Sequence, residues 1–141
     1  TAPGVTTGVG TFAHVKDIAK AHIAAAERGK AGENYLLGGV EISFREIAEK
    51  VNALLGKTGA PKVLSPTLLR FATYLMQVRS FVDGKEPLLT YPRYKRLVGN
   101  LLCDDSKARR ELGFSTTDME TMIRDSHLWL EQEKLIGDAE S

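Results

Sequence analysis

Apolar residues recur at helical spacing over most of the chain and at strand spacing only in short stretches. Residues 1–10 are rich in Gly and Thr and read as loop. Thr11-Phe12-Ala13-His14-Val15 reads as a short strand. A helix is expected over 17–28, with Ile18, Ala21, His22 and Ala25 on one face. Asp17 stands at its start, where a carboxylate meets free N–H groups and the positive end of the dipole. His22 on that face reads as a hydrogen-bonded core histidine, and Gly29 ends the helix. Asn34-Tyr35-Leu36-Leu37 reads as a short buried strand, stopped by Gly38 and Gly39.

Five more helices follow from capping and periodicity. Ser43 and Glu46 form a capping box, with Ile42 and Ile47 spaced for a hydrophobic staple. The stripe Ile47, Val51, Leu54, Leu55 continues that helix to Gly56. Ser65 as cap and Pro66 in the first turn open a longer apolar helix that stops before Gly84. A short helix is expected over Pro92–Val98 and a short strand over 100–103. Asp105-Ser106 caps a helix over 107–112, closed by Gly113. A second capping box, Thr117 to Glu120, opens a sixth helix carrying Met122, Ile123, Trp129 and Leu130 and fraying after Ile136.

The expected strands at 11–15 and 34–37, joined by a helix, imply parallel neighbours. Two such strands do not make an independently stable sheet, so further strands have to come from elsewhere.

Composition narrows the function. The 141 residues carry 19 basic and 18 acidic side chains, so net charge gives no case for nucleic acid or an anionic membrane. Thr1-Ala2-Pro3-Gly4 has neither the basic stretch nor the apolar core of a secretory signal. The single Cys103 leaves no internal disulfide or multi-cysteine zinc site, and a reducing, cytoplasmic setting is expected. The charges are uneven: residues 85–110 hold seven basic and three acidic, residues 111–141 two and eight. The basic stretch reads as a solvated helical surface, or as an anion contact by one or two arginines.

Three motifs carry candidate chemistry. Gly8-Val9-Gly10-Thr11-Phe12-Ala13 has the spacing of a dinucleotide-binding turn, but reads as entering a strand rather than opening a helix. Tyr91 and Lys95 stand at i, i+4, the spacing of a tyrosine–lysine acid–base pair. Pro92 places Tyr91 at the helix mouth and loosens that pairing. His14 and Asp17 form a local pair at the strand-to-helix turn, more often structural than catalytic. The histidines lack metal-ligand spacing, and Cys103 among leucines reads as inert.

The segment Phe12 to His22, with His14, Val15, Asp17 and Ala19, resembles a strand-to-helix segment of extended short-chain dehydrogenases. Gly32-Glu33-Asn34-Tyr35-Leu36-Leu37-Gly38-Gly39 resembles the strand that follows it in that family. Ile42-Ser43 through Ile47-Ala48 resembles the helix after that strand. Asp104-Asp105-Ser106-Lys107-Ala108 and Glu111-Leu112-Gly113-Phe114 resemble the family's C-terminal signature. Order and spacing agree over nearly the whole chain. The branch resembled is the dihydroflavonol reductase-like and sugar epimerase-like group of NAD-dependent epimerase/dehydratases. Lys16 departs from it, standing where the family usually has an acidic residue.

The resemblance implies a C-terminal, substrate-binding portion over 1–141, without the N-terminal dinucleotide-binding domain. It implies an α/β fold, helix-rich here, whose two or three short strands complete a parallel Rossmann-type sheet. The intact enzyme binds NAD or NADP and acts on a sugar nucleotide or a carbonyl or alcohol substrate. The family's glycine turn and its Tyr-x-x-x-Lys precede the His14 segment. Gly8–Ala13 and Tyr91–Lys95 are therefore out of place, and no catalytic or cofactor-binding residue is expected. The fragment alone is expected to bind no cofactor and to be inactive. Pro3, Gly4 and Thr11 match the substrate-facing region, Tyr91 and Arg93 its far wall, and His14 and Asp17 would brace the junction. The partners expected are the missing Rossmann domain, a second copy of the chain and a small-molecule substrate, with neither nucleic acid nor membrane. The alternative is a non-enzymatic helical association module.

Overall fold

The computed structural model describes residues 4–84, 86–87 and 89–136, without the side chains of 82 and 83. Three strands and six helices follow in the order β1 (Val9–Phe12), α1 (Val15–Arg28), β2 (Val40–Ser43), α2 (Phe44–Leu54), α3 (Pro66–Asp83), α4 (Tyr91–Val98), β3 (Asn100–Leu101), α5 (Ser106–Leu112) and α6 (Met119–Gln132). The α/β class and the six helices agree with the expectation from sequence.

The sheet is mixed rather than parallel, with order β2-β1-β3. β1 pairs antiparallel with β2, Val9 opposite Ser43 and Phe12 opposite Val40. It pairs in parallel with β3 through Val9–Asn100 and Gly10–Leu101. The first strand thus lies two residues before its expected start, and Val15 already belongs to α1.

Asn34–Leu37 joins no ladder among the described residues. Its alternation is real: Tyr35 and Leu37 pack on the core while Leu36 is exposed. Gly39, at φ +136°, then turns the chain, and the strand forms after it. A Cβ at Gly39 would lie 2.0 Å from the Phe12 carbonyl oxygen, so only glycine lets the turn pass this close to β1.

Helix boundaries show where side chains compete for cap positions. Ser43 and Glu46 make both bonds of the capping box that opens α2. At α1 the cap is His14, whose imidazole accepts the Lys16 N–H; Asp17 lies in the first turn but bonds elsewhere. At α6 the cap is Asp118, which accepts from Thr121, and not Thr117. The Thr117 N–H is taken by Asp17, so Thr117 serves as a tie instead of a cap. Asp105 holds the cap position of α5 without bonding there. Its carboxylate goes to Gly39 N–H and Arg109, while Asp104 accepts the Ser106 N–H. α6 ends at Gln132, before the expected fray, where Lys134 takes φ 53° and the Leu135 N–H bonds back to Leu130.

Two clusters form the core. In one, α1 and α5 meet through Ala21, Ala24, Ala108, Leu112 and Phe114. Small residues on both helices allow close approach, and burying Leu112 and Phe114 contributes roughly 1.5–3 kcal/mol each. In the other, Ile42 of β2 packs with Met119 and Met122 of α6, with Ile47 of α2 against them. His22 is exposed rather than in the core, its ring bonded to the Ile18 carbonyl oxygen at 2.8 Å.

Candidate functional site

α3 and α4 form a hairpin held at both ends by the chain's first segment. Val5 exchanges backbone bonds with Lys62 and Leu64 just before α3. Gly8 and Val9 donate to Leu97 and Gly99 at the end of α4. Gly84 closes α3 at φ 62°, and Thr90 caps α4 ahead of Pro92. Ser65 stands at the cap position of α3, but its hydroxyl meets Thr67 at 2.8 Å instead of a helix N–H.

Between the two helices lies an open groove of about 570 Å³, lined by Thr67, Arg70, Phe71, Tyr74, Gln77 and Tyr91. Thr73 completes its floor, its hydroxyl satisfied by the Leu69 carbonyl oxygen. Tyr91 is held by stacking on Tyr94 at 6.0 Å, with Lys95 Nζ 5.2 Å from its ring centroid. The groove offers a guanidinium for an anionic group, an amide for hydroxyls and three aromatic faces for a planar or sugar ring.

The residues expected to meet substrate are thus divided. Tyr91 lines the groove. Gly4, at φ +149°, packs against Lys62 and Leu64 before α3. Thr11 Oγ donates to the Leu101 carbonyl oxygen at 3.0 Å, joining β1 to β3. Arg93 is exposed on α4, two residues and so roughly 200° round the helix from Tyr91. Pro3 lies outside the described residues. Arg70, Phe71, Tyr74 and Gln77 were not anticipated. Their signal was the polar series Arg70, Thr73, Gln77, at i, i+3, i+7 within a mostly apolar helix.

A second constellation sits where α1 meets α6. His14 is buried and does not pair directly with Asp17. Its Nδ1 accepts the Lys16 N–H at 3.0 Å, which leaves the neutral ring's proton on Nε2, facing Asp125 Oδ2 at 3.2 Å. Lys16 Nζ reaches the same oxygen at 3.2 Å. The Lys16 hydrogen bond, aided by its charge and by His14, holds the Asp125 carboxyl below its ordinary value against partial desolvation. Burial pushes the Asp17 carboxyl up, but Thr117, then His14 and Lys20, outweigh it and leave the group below its ordinary value. Open grooves of about 600 and 520 Å³ flank this centre, lined by Val15, Leu128 and Trp129 on one side and by α2 and α6 on the other.

The glycine motif has no room for a dinucleotide. Gly10 lies inside β1, and a Cβ at Gly8 would lie 2.5 Å from the Leu97 carbonyl oxygen. These glycines admit backbone to backbone, and the helix that follows is already capped by His14. The residues present do not fit the pyrophosphate of NAD. Lys95 lies over the face of Tyr91, so the pair is a cation–π contact. Among the described residues no three His, Cys, Asp or Glu side chains could hold a metal. Within the basic stretch, Lys107 pairs with Glu33 at 2.7 Å and Arg109 makes two bonds to Asp105.

No family model matches the chain. It is similar to "Sterol demethylase protein B" of Methylococcus capsulatus, 24% identical over 92% of this chain and 40% of that protein. It is similar also to a candidate dihydroflavonol 4-reductase of Synechocystis, 27% identical over 90% of this chain and 38% of that protein. Among solved structures, gox2253 matches with TM-score 0.74 and 25% identity, over 94% of this chain and 41% of that one. A nucleoside-diphosphate-sugar epimerase from Pseudomonas aeruginosa matches with TM-score 0.67 and 24% identity, over 95% and 39%. A UDP-glucose 4-epimerase from Bifidobacterium longum, solved with NAD+ and UDP, shares the fold at TM-score 0.58 and 22% identity, over 91% and 31%. The chain spans about 40% of the length of the curated relatives it matches. These relatives and neighbours include the reductase-like and sugar-nucleotide epimerase proteins that the sequence resembles.

Proposed function

We propose that this chain is the substrate-binding portion of an NAD(P)-dependent epimerase or reductase, and that the α3–α4 groove holds the substrate. The observation that carries the reading is the lining of that groove: Arg70, Gln77 and the rings of Phe71, Tyr74 and Tyr91 converge on one open space. A nucleoside diphosphate sugar matches this chemistry, its phosphates toward Arg70 and its rings against the aromatic faces. The similarity to nucleotide-sugar epimerases supports the same class.

In this reading the nicotinamide cofactor belongs to a domain outside these 141 residues. The chain itself binds and orients substrate and excludes water. Asn34–Leu37 supports such a partner, because its side chains alternate in burial as in a strand while it joins no ladder among the described residues. It is fixed by a clasp: the Tyr35 hydroxyl donates to Glu111 and accepts the Lys30 N–H, and Lys107 bonds the Asn34 carbonyl oxygen. A parallel strand of a nucleotide-binding domain would satisfy its remaining backbone groups. His14 and Asp17, fixed to the 117–125 segment, would brace that junction.

The test is titration of the chain with UDP and UDP-glucose by NMR. Shifts concentrated on α3 and α4, saturating with UDP, are the expected result. Shifts that are absent or scattered over the surface would reject the groove. Hydride transfer with NAD or NADP by the chain alone would reject the division of labour.

A further inference from the structure

Six large apolar side chains on a single face of α3 are exposed. Phe81 is 92% exposed, Tyr74 64%, Leu68 62%, Phe71 61%, Leu75 52% and Val78 47%. At about 100° per residue these six side chains fall within an arc of roughly 140°. Leu69, Ala72, Thr73, Gln77 and Ser80 occupy the opposite side and are buried or half-buried, with Met76 among them 39% exposed. The exposed arc is therefore not the face by which α3 packs on the other described residues. Arg70 and Arg79 stand just beyond its two edges.

Charge follows the same boundary. Residues 57–99, which hold α3, α4 and the loops beside them, carry eight basic residues against Asp83 and Glu86. That leaves eleven basic and sixteen acidic residues elsewhere. The near-neutral total conceals a cationic hairpin on an acidic body.

We propose that this face of α3 docks on an anionic membrane surface. An apolar helical stripe edged by cations is the pattern of a helix lying in the plane of the lipid headgroups. The excess of basic residues on the same hairpin supplies attraction to acidic lipids. A second copy fits less well, because pairing two such faces brings two cationic hairpins together. Nucleic acid fits less well, because the surface between the arginines is aliphatic and aromatic. Among the described residues no helix is long and apolar enough to cross a membrane, so the contact is peripheral. Phe71 and Tyr74 belong both to this face and to the groove, so docking would set the groove mouth at the lipid surface. The inference stands on exposure and charge and does not depend on the substrate assignment.

The experiment is co-sedimentation of the 141-residue chain with vesicles of phosphatidylcholine alone, and of phosphatidylcholine with about one-third phosphatidylserine, at low and high salt. The expected result is binding to the acidic vesicles, weak binding to the neutral ones, and loss in high salt. The double variant Leu75→Gln/Phe81→Gln lies outside the groove and should weaken binding about tenfold or more, with circular dichroism unchanged. Should it misfold, Phe81→Trp is the second variant, and its fluorescence should shift to the blue on the acidic vesicles. Failure to sediment with either lipid, or no blue shift, would overturn the proposal. So would equal binding to both lipids. A lipid-free dimer that the double variant abolishes would assign the face to a second copy instead.

Discussion

The Asp17 carboxylate accepts the Thr117 backbone N–H at 2.6 Å, one hundred residues apart in sequence. The bond joins the first turn of α1 to the segment that enters α6; Asp17 is buried and Thr117 half-buried. A partly buried N–H that loses a charged acceptor keeps part of its desolvation penalty, so Asp17→Ala should destabilise the chain by about 1–3 kcal/mol. Urea unfolding at neutral pH measures this. A change of a few tenths of a kcal/mol would mean that the Thr117 N–H finds another acceptor.

The same carboxylate sets an acid dependence. Its acidity constant in the folded chain lies below the ordinary value of 3.8 because Thr117, His14 and Lys20 outweigh burial. The unfolded chain therefore takes up the proton first. The stabilisation is complete above the ordinary value and is lost as pH falls through the lower folded one. Asp17→Asn should flatten the fall in stability below about pH 4, while leaving the profile above pH 5 parallel to that of the parent. Denaturant midpoints across pH 2–7 test it.

Among the described glycines, Gly39 leaves the least room for a Cβ. Gly39→Ala places a Cβ 2.0 Å from the Phe12 carbonyl oxygen at a left-handed φ, and should cost about 3 kcal/mol or more. Gly32 also has a positive φ, but nothing lies within 4 Å of its Cβ position. Gly32→Ala should cost only about 1 kcal/mol. Equal losses in thermal melts would show that conformation, not contact, limits both sites.

Ser43 and Ser65 look alike in sequence and differ in bonding. Ser43→Ala removes a capping box and should cost about 1 kcal/mol. Ser65 makes no cap bond to α3, so Ser65→Ala should cost a few tenths. Paired denaturation curves distinguish them.

Arg70 supplies the guanidinium of the groove. Arg70→Ala should weaken UDP binding about tenfold, the loss of one charge-assisted bond, with little change in stability at this exposed site. Arg93→Ala, whose side chain lies off the groove, should change UDP affinity less than twofold. The reverse order would move the anion site from α3 to the outer face of α4.

Local chemistry was readable wherever a signal and its partner lie within a few residues. The Ser43–Glu46 box, the stop at Gly29, the Pro66 start and the helical spacing of α1 to α6 all belong to that class. The resemblance to epimerases and reductases was readable too, because it rests on residues in order along the chain. Side chains that choose among distant partners were not readable. His14 caps α1 because Asp17 is drawn to Thr117, and Asp105 leaves its cap because Gly39 and Arg109 compete for it. The groove was equally hidden, since Arg70 and Tyr91 come together only when the 4–12 segment pins both ends of the hairpin. The sequence by itself determined the helices, their local caps and the class of protein the chain resembles. Only the tertiary structure decided that the sheet is mixed and, among the described residues, that 34–37 joins no ladder and which face of α3 is uncovered. Those outcomes depend on which long-range hydrogen bonds and packing contacts win when partners far apart in sequence compete for the same groups.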